Sequence, residues 1–220
     1  MTPDPDLIGR LVLRVEADAH RGGWDAPAAL YVLYDTTDPD TDATYRDVMA
    51  PRRGAPVRCH PYAGQSAVPE SAFHGNPAHA LFRFALNTRG DHPMADLVLG
   101  TIRRPGFLGL AFLYEGWMRT AKTKEERDAL GAVRFADIPG SVELRSIMAA
   151  DIAGNDYLVM RERGQKPELH RGDDDDLNEM SGAIIESLRS IVAKVAGLPL
   201  PDLDTIPSQW DWDAERTGAP

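Results

Sequence analysis

The chain has 220 residues, of which 43% are hydrophobic and 26% charged, and its formal net charge at pH 7 is −10. This composition is typical of a globular protein with one substantial core, and the single cysteine, Cys59, excludes a disulfide framework. The negative charge disfavours direct nucleic-acid binding, because phosphates require a basic face. The chain shows neither a membrane-spanning apolar run nor a signal-peptide pattern, so we expect a cytoplasmic protein that does not associate with membranes.

The first predicted element is an amphipathic helix over residues 7–21. Asp6 is suited to be its N-cap, and Gly22-Gly23 end it. Its apolar positions recur at helical spacing: Leu7, Ile8, Leu11, Val12, Val15 and Ala19. An aromatic and β-branched run over residues 28–34 then predicts the first strand.

The connection between helix and strand carries a short motif, Gly23-Trp24-Asp25-x-Pro27-x-x-Leu30-Tyr31-x-Leu33. It resembles the signature of a small family of uncharacterised actinobacterial proteins. In that family a strand with a Glu-x-Arg pattern, a hairpin and a C-terminal helix follow, and Glu143-Leu144-Arg145 and the helix starting at Leu177 match this order. The resemblance implies an α+β fold. It implies no catalytic residues, because the family has no established activity.

Residues 35–75 are predicted to be a long loop or an insertion, because they contain five prolines and little periodicity. Asn76-Pro77 is typical of a helix start, and a second helix is predicted between Pro93 and Pro105. The apolar face of the first of these helices is expected to comprise Leu81, Phe82, Ala85 and Leu86.

The almost continuous apolar run over residues 106–115 predicts a central strand covered on both faces, and a short charged helix is predicted over 122–131. The strongest hairpin pattern lies at 141–163, with a turn at Gly154-Asn155-Asp156. In its first strand Val142, Leu144, Ser146 and Met148 share one face, while Glu143 and Arg145 share the other. We expect this hairpin to be the centre of the sheet.

An acidic run at 173–176 precedes a long helix over 177–196, and Gly197 closes that helix. The tail, 198–220, is rich in proline, acidic residues and aromatic residues, so it is predicted to be neither helix nor interior strand. Two interpretations of its apolar side chains Ile206, Trp210 and Trp212 are open. They cover an apolar patch of their own domain, or they bind a protein partner.

No motif predicts a catalytic residue, a metal site or a cofactor. Asp38, Asp40 and Asp42 alternate as in a calcium loop, but the turn glycine and the bidentate glutamate of that motif are absent. Cys59-His60 lacks the spacing of a zinc site, and adjacent residues of a strand point apart. Phosphate-binding glycine loops are also absent from the sequence.

The sequence therefore predicts one α+β domain over residues 1–197, with a mainly antiparallel sheet of about four to five strands and the N- and C-terminal helices covering a face of it. Twenty arginines against four lysines indicate a GC-rich genome, such as that of an actinobacterium or its phage. The favoured function is a non-enzymatic interaction protein with a protein partner. The alternatives are a small-molecule enzyme with a pocket near Trp24, Tyr114 and Trp117, and a structural subunit of a larger assembly.

Overall fold

The computed structural model describes residues 4–25, 28–35, 57–61, 77–89, 99–100, 102–103, 105–118, 139–172 and 175–201, with the backbone alone at 57–61, 77–80, 118 and 175–181. The helices are α1 (Pro5–Gly22), α2 (Pro77–Arg89) and α3 (Asp175–Ala196). The strands are β1 (Ala29–Asp35), β2 (Val57–Pro61), β3 (Phe107–Met118), β4 (Val142–Asp151), β5 (Asp156–Glu162) and β6 (Glu168–Arg171).

The strands form one open antiparallel sheet in the order β2-β1-β3-β4-β5-β6. This confirms the predicted α+β class and the central position of the hairpin β4–β5. The sheet is wider than expected because β2 and β6, of five and four residues, pair along its edges. Strands this short carry little periodicity, so β2 was missed within the segment 35–75, which was predicted to be a loop.

Helices cover both faces of the sheet. Helix α1 packs on one face, where Ile8, Val12 and Val15 join a cluster from β1, β3, β4 and β5. Helices α2 and α3 pack on the other face. The N- and C-terminal helices therefore lie on opposite faces rather than together. None of the helices in the described part of the chain has the length and apolarity to cross a membrane.

Coverage on both faces buries residues 108–113 of β3 and 143–151 of β4. In β4, Met148 and Ala150 pack towards α3, while Ile147 and Ala149 pack towards α1. Strand β3 alternates in the same way, which confirms the prediction of a strand covered on both faces. The face of β4 that carries Glu143 and Arg145 is buried as well.

The element ends follow local hydrogen-bonding chemistry. Helix α1 begins earlier than predicted, because Asp4 rather than Asp6 is the N-cap and accepts a 2.9 Å hydrogen bond from the Asp6 amide. Its end at Gly23, with φ of 100°, is as predicted. In α3 the residues Ile184, Leu188, Ile191 and Val195 recur at helical spacing and are buried.

Several predictions fall on residues outside the described ones. These are the helix at 122–131, the triad Asp38, Asp40 and Asp42, most of 35–75, and the tail residues Ile206, Trp210 and Trp212. The acidic run at 173–176 is described only in the backbone of its second half. Of the helix predicted between Pro93 and Pro105, only four residues are described, and Leu99 and Ile102 among them are buried.

Candidate functional site

Charged side chains converge on the α1 face at one end of the sheet. Glu115 of β3, Arg145 of β4 and Arg161 of β5 occupy one row of neighbouring register positions. We define the ion-pair cluster as Glu16, Glu115, Glu143, Arg145, Arg161 and Arg163. Three carboxylates and three guanidiniums thus gather where α1 meets the sheet.

Arg145 is the centre of this cluster, and its side chain is 0% exposed. Its Nε donates to Oε1 of Glu115 over 2.7 Å, and its Nη2 donates to the same oxygen and to the carbonyl of Gly23. Its Nη1 lies 3.7 Å from Oε1 of Glu16. One buried guanidinium therefore links β3, β4, α1 and the turn that follows α1.

Glu16 and Arg161 make the second pair. The Nε and Nη2 atoms of Arg161 donate to the two oxygens of Glu16, each over 2.6 Å. This bidentate geometry is the strongest arrangement of a carboxylate and a guanidinium, and it raises the pKa of Arg161. Glu16 is fully buried, so Arg161 compensates a charge that water does not reach.

The third pair positions an aromatic ring. The Nη1 atom of Arg163 lies 2.6 Å from Oε2 of Glu143. The guanidinium carbons of Arg145 and Arg163 lie 4.7 and 5.2 Å from the ring centroid of Trp24. Both distances are within cation–π range. The turn after α1 presents this ring, because the Asp25 amide, at a positive φ of 67°, donates to Oε2 of Glu115 over 2.6 Å. Trp24 is therefore held as part of the charge cluster.

One group of carboxylates in the described part of the chain is close enough to hold a metal ion: ligand oxygens of Asp25, Glu115 and Glu143 lie within 4.8 Å of one another. Carboxylate oxygens suit calcium or magnesium. Here, however, both oxygens of Glu115 accept hydrogen bonds, and Arg163 pairs with Glu143. The arginines already supply the positive charge that a cation would bring.

The pocket predicted from Trp24, Tyr114 and Trp117 does not form as one cleft. Trp117 occupies the register position opposite Glu143, on the α1 face with Trp24. Tyr114 lies on the other face, where its ring stacks on Phe112 with centroids 5.9 Å apart and burial raises its pKa. The reason is strand alternation, which turns residues 114 and 117 to opposite faces.

A second buried polar group lies at the opposite end of the hairpin and has a structural role. Asp151 accepts hydrogen bonds from the Ala153 amide, from Asn155 and from the Tyr157 hydroxyl. These bonds fix the turn between β4 and β5. Asp156 pairs with Arg189 of α3; burial raises the pKa of Asp156, and the Arg189 hydrogen bond opposes that rise.

The sequence pointed to Trp24 and Trp117 but missed Glu16, Arg161 and Arg163. The position of Glu16 within the apolar stripe of α1 could have indicated that this residue is buried. The arginines gave no such signal, because their burial depends on which helix covers the strand. Comparison of the chain with protein-family models, with curated proteins and with solved structures found no match.

Proposed function

We propose that this chain is a non-enzymatic binding protein whose partner is another protein, in the cytoplasm of a high-GC bacterium or of cells infected by its phage. The main support for this proposal is the surface at the end of β3. There the Trp117 side chain is 45% exposed, next to a row formed by Glu143 and Arg163. We define Trp117, Glu143 and Arg163 as the strand-end surface.

The ion-pair cluster supports binding rather than catalysis. Its carboxylates each have a guanidinium partner: Glu16 with Arg161, Glu115 with Arg145, and Glu143 with Arg163. A general base needs a carboxylate that is available to a substrate proton, and an arginine stays protonated throughout the physiological range. The cluster is thus suited to fix a surface rather than to transfer protons.

The composition of the strand-end surface is that of an interface centre. Tryptophan and arginine are enriched among the residues that dominate protein–protein binding energies. The surface is also rigid, since Trp117 lies in a paired strand and Arg163 is held by Glu143 and the ring of Trp24. A partner would lose little free energy in ordering these side chains.

The test places a photo-crosslinking amino acid at position 117 of the full chain, expressed in the cells that naturally produce it. Position 168, an exposed site on the edge strand β6, is the matched control. We expect a defined protein to be crosslinked from 117 and not from 168. The Trp117→Ala variant should lose capture of that protein while keeping its melting temperature, because the indole is half exposed. Equal capture by Trp117→Ala and the wild type, or no crosslink at 117, would overturn the proposal.

A further inference from the structure

Three leucines near the ends of α2 and α3 are exposed. Leu86 of α2 is 44% exposed, and Leu198 and Leu200, just after α3, are 43% and 41% exposed. Leu86 was predicted to lie on the buried face of α2, but Leu81, Phe84 and Ala85 form that face. Single exposed apolar residues are ordinary, whereas a group of them indicates a contact surface.

A hydrogen bond ties the chain after α3 to this corner. The Nη2 atom of Arg89, at the end of α2, donates to the carbonyl of Pro201. Leu86 stands one turn earlier on the same helix. The chain therefore crosses from α3 to α2 and continues from a point next to the exposed leucines.

The corner is also basic, although the whole chain is acidic. Helix α2 contains Arg83 and Arg89 but no acidic residue. Arg103 adds a third cation, since it donates to the carbonyls of Lys194 and Val195 over 2.9 and 3.1 Å. We define the α2–α3 corner as Leu86, Leu198, Leu200, Arg83, Arg89 and Arg103.

The sequence that follows Pro201 is complementary to this corner. Residues 202–220 contain four aspartates and one glutamate against a single arginine. They also contain four large apolar side chains: Leu203, Ile206, Trp210 and Trp212. Acidic and apolar residues are thus interleaved in the segment, as basic and apolar residues are in the corner.

We propose that residues 202–220 bind in cis to the α2–α3 corner, with Ile206, Trp210 and Trp212 covering its leucines and the acidic residues facing Arg83 and Arg89. Trp210 is nine residues beyond Pro201, so an extended chain of about 30 Å connects them. The part of α2 from 81 to 89 is only about 12 Å long, so the segment reaches all of it. Intramolecular binding also avoids the entropy cost of bringing two molecules together.

This contact is independent of the strand-end surface, because the two lie on opposite faces of the sheet. Trp117 is on the α1 face, whereas α2 and α3 cover the other face. An experiment that contradicts one of the two proposals therefore does not contradict the other.

The first experiment uses the full chain and chymotrypsin, which cleaves after tryptophan. We compare cleavage after Trp210 and Trp212 in the wild type, in Leu86→Asp and in Val142→Asp, a control that alters an exposed apolar side chain of β4. Leu86→Asp should speed this cleavage roughly tenfold by releasing the segment, and Val142→Asp should not. Equal rates in the wild type and Leu86→Asp would overturn the proposal. So would protection that rises with protein concentration, because that indicates docking between two copies.

The reciprocal experiment measures hydrogen–deuterium exchange of residues 81–89. The double variant Trp210→Ala/Trp212→Ala should speed exchange at the exposed side of α2. The control variant Ser208→Ala, which removes only a small polar group from the same segment, should leave the exchange rate unchanged. Combining Leu86→Asp with the tryptophan variant should add no further effect, because both changes break the same contact. Unchanged exchange in the double variant would contradict the contact.

Discussion

Arg145 and Glu115 form an ion pair across neighbouring strands, with Nε and Oε1 2.7 Å apart and no solvent access to the arginine side chain. Burying such a pair is costly, and only its mutual attraction and its further hydrogen bonds repay that cost. Glu115 also accepts from the Asp25 amide, and Arg145 donates to the Gly23 carbonyl. The pair therefore fixes the turn that leads from α1 into β1.

Breaking this pair should be strongly destabilising. We expect Arg145→Met to lower the free energy of unfolding by about 3–5 kcal/mol, because Glu115 would keep a buried charge without its guanidinium partner. Urea denaturation measures the change. Arg21→Met, which removes an exposed pair with Asp18, should cost less than about 1 kcal/mol. Similar urea midpoints for the two variants would show that Arg145 is not a buried partner.

The hairpin β4–β5 should behave as core. Met148→Asp is expected to cost about 3–5 kcal/mol, because it removes a buried side chain and introduces an unpaired charge. Leu144→Asp, also buried, should lower the urea midpoint as well. Val142→Asp is the control in the same strand, and its side chain is exposed. An unchanged midpoint for Met148→Asp would contradict the packing of this strand against α3.

Gly109 marks a close approach of β3 to β4. A Cβ atom added there would lie 2.3 Å from the carbonyl oxygen of Ala150 and 2.9 Å from Cα of Asp151. Because these are backbone atoms in a paired strand, we expect Gly109→Ala to cost about 1–3 kcal/mol or more. In the same strand, Gly116→Ala meets nothing closer than 3.9 Å and should be tolerated. The melting temperatures of Gly109→Ala and Gly116→Ala, each compared with that of the wild type, test this expectation.

Tyr157 should make the protein sensitive to alkaline pH. It is fully buried, and burial together with the nearby Asp151 carboxylate raises its pKa well above the ordinary 10.0. As the pH rises through the ordinary value, the unfolded chain loses this proton before the folded chain does. The stability that Tyr157 contributes is thus complete below about pH 10 and is lost above it, by up to about 1.4 kcal/mol per pH unit.

The comparison with Tyr157→Phe isolates this effect, because phenylalanine has no proton to lose. The difference in unfolding free energy between wild type and variant should be constant between about pH 7 and 9 and should shrink above about pH 10. A constant difference over the whole range would mean that the hydroxyl does not titrate differently in the folded state.

Folding should not require a metal ion. Asp25, Glu115 and Glu143 lie close together, but arginines balance two of them. We expect the melting temperature to be the same with and without EDTA, and millimolar calcium or magnesium to leave it unchanged. A drop of many degrees in EDTA, reversed by one of these cations, would assign the three carboxylates to a metal site.

The segment from β3 to β5 contains both features that sequence patterns predict and features that they do not. An apolar run predicted β3 as a doubly covered strand, and alternation with Gly154-Asn155-Asp156 predicted the hairpin; both are confirmed. The ion-pair cluster was not predictable in the same way. An arginine within a strand has the same local pattern whether solvent or a helix covers it, so the burial of Arg145 could not be predicted from its position in β4.

The sequence by itself determined the α+β class, the end of α1 at Gly23 and the strands of the hairpin, because helical and alternating periodicities and turn chemistry are local properties. Only the tertiary structure decided that α1 and α3 cover opposite faces, that β2 and β6 extend the edges, and that Glu16 meets Arg161. These features depend on contacts between residues far apart in the chain. Burial there is set by which element packs against which, and no single segment encodes that choice.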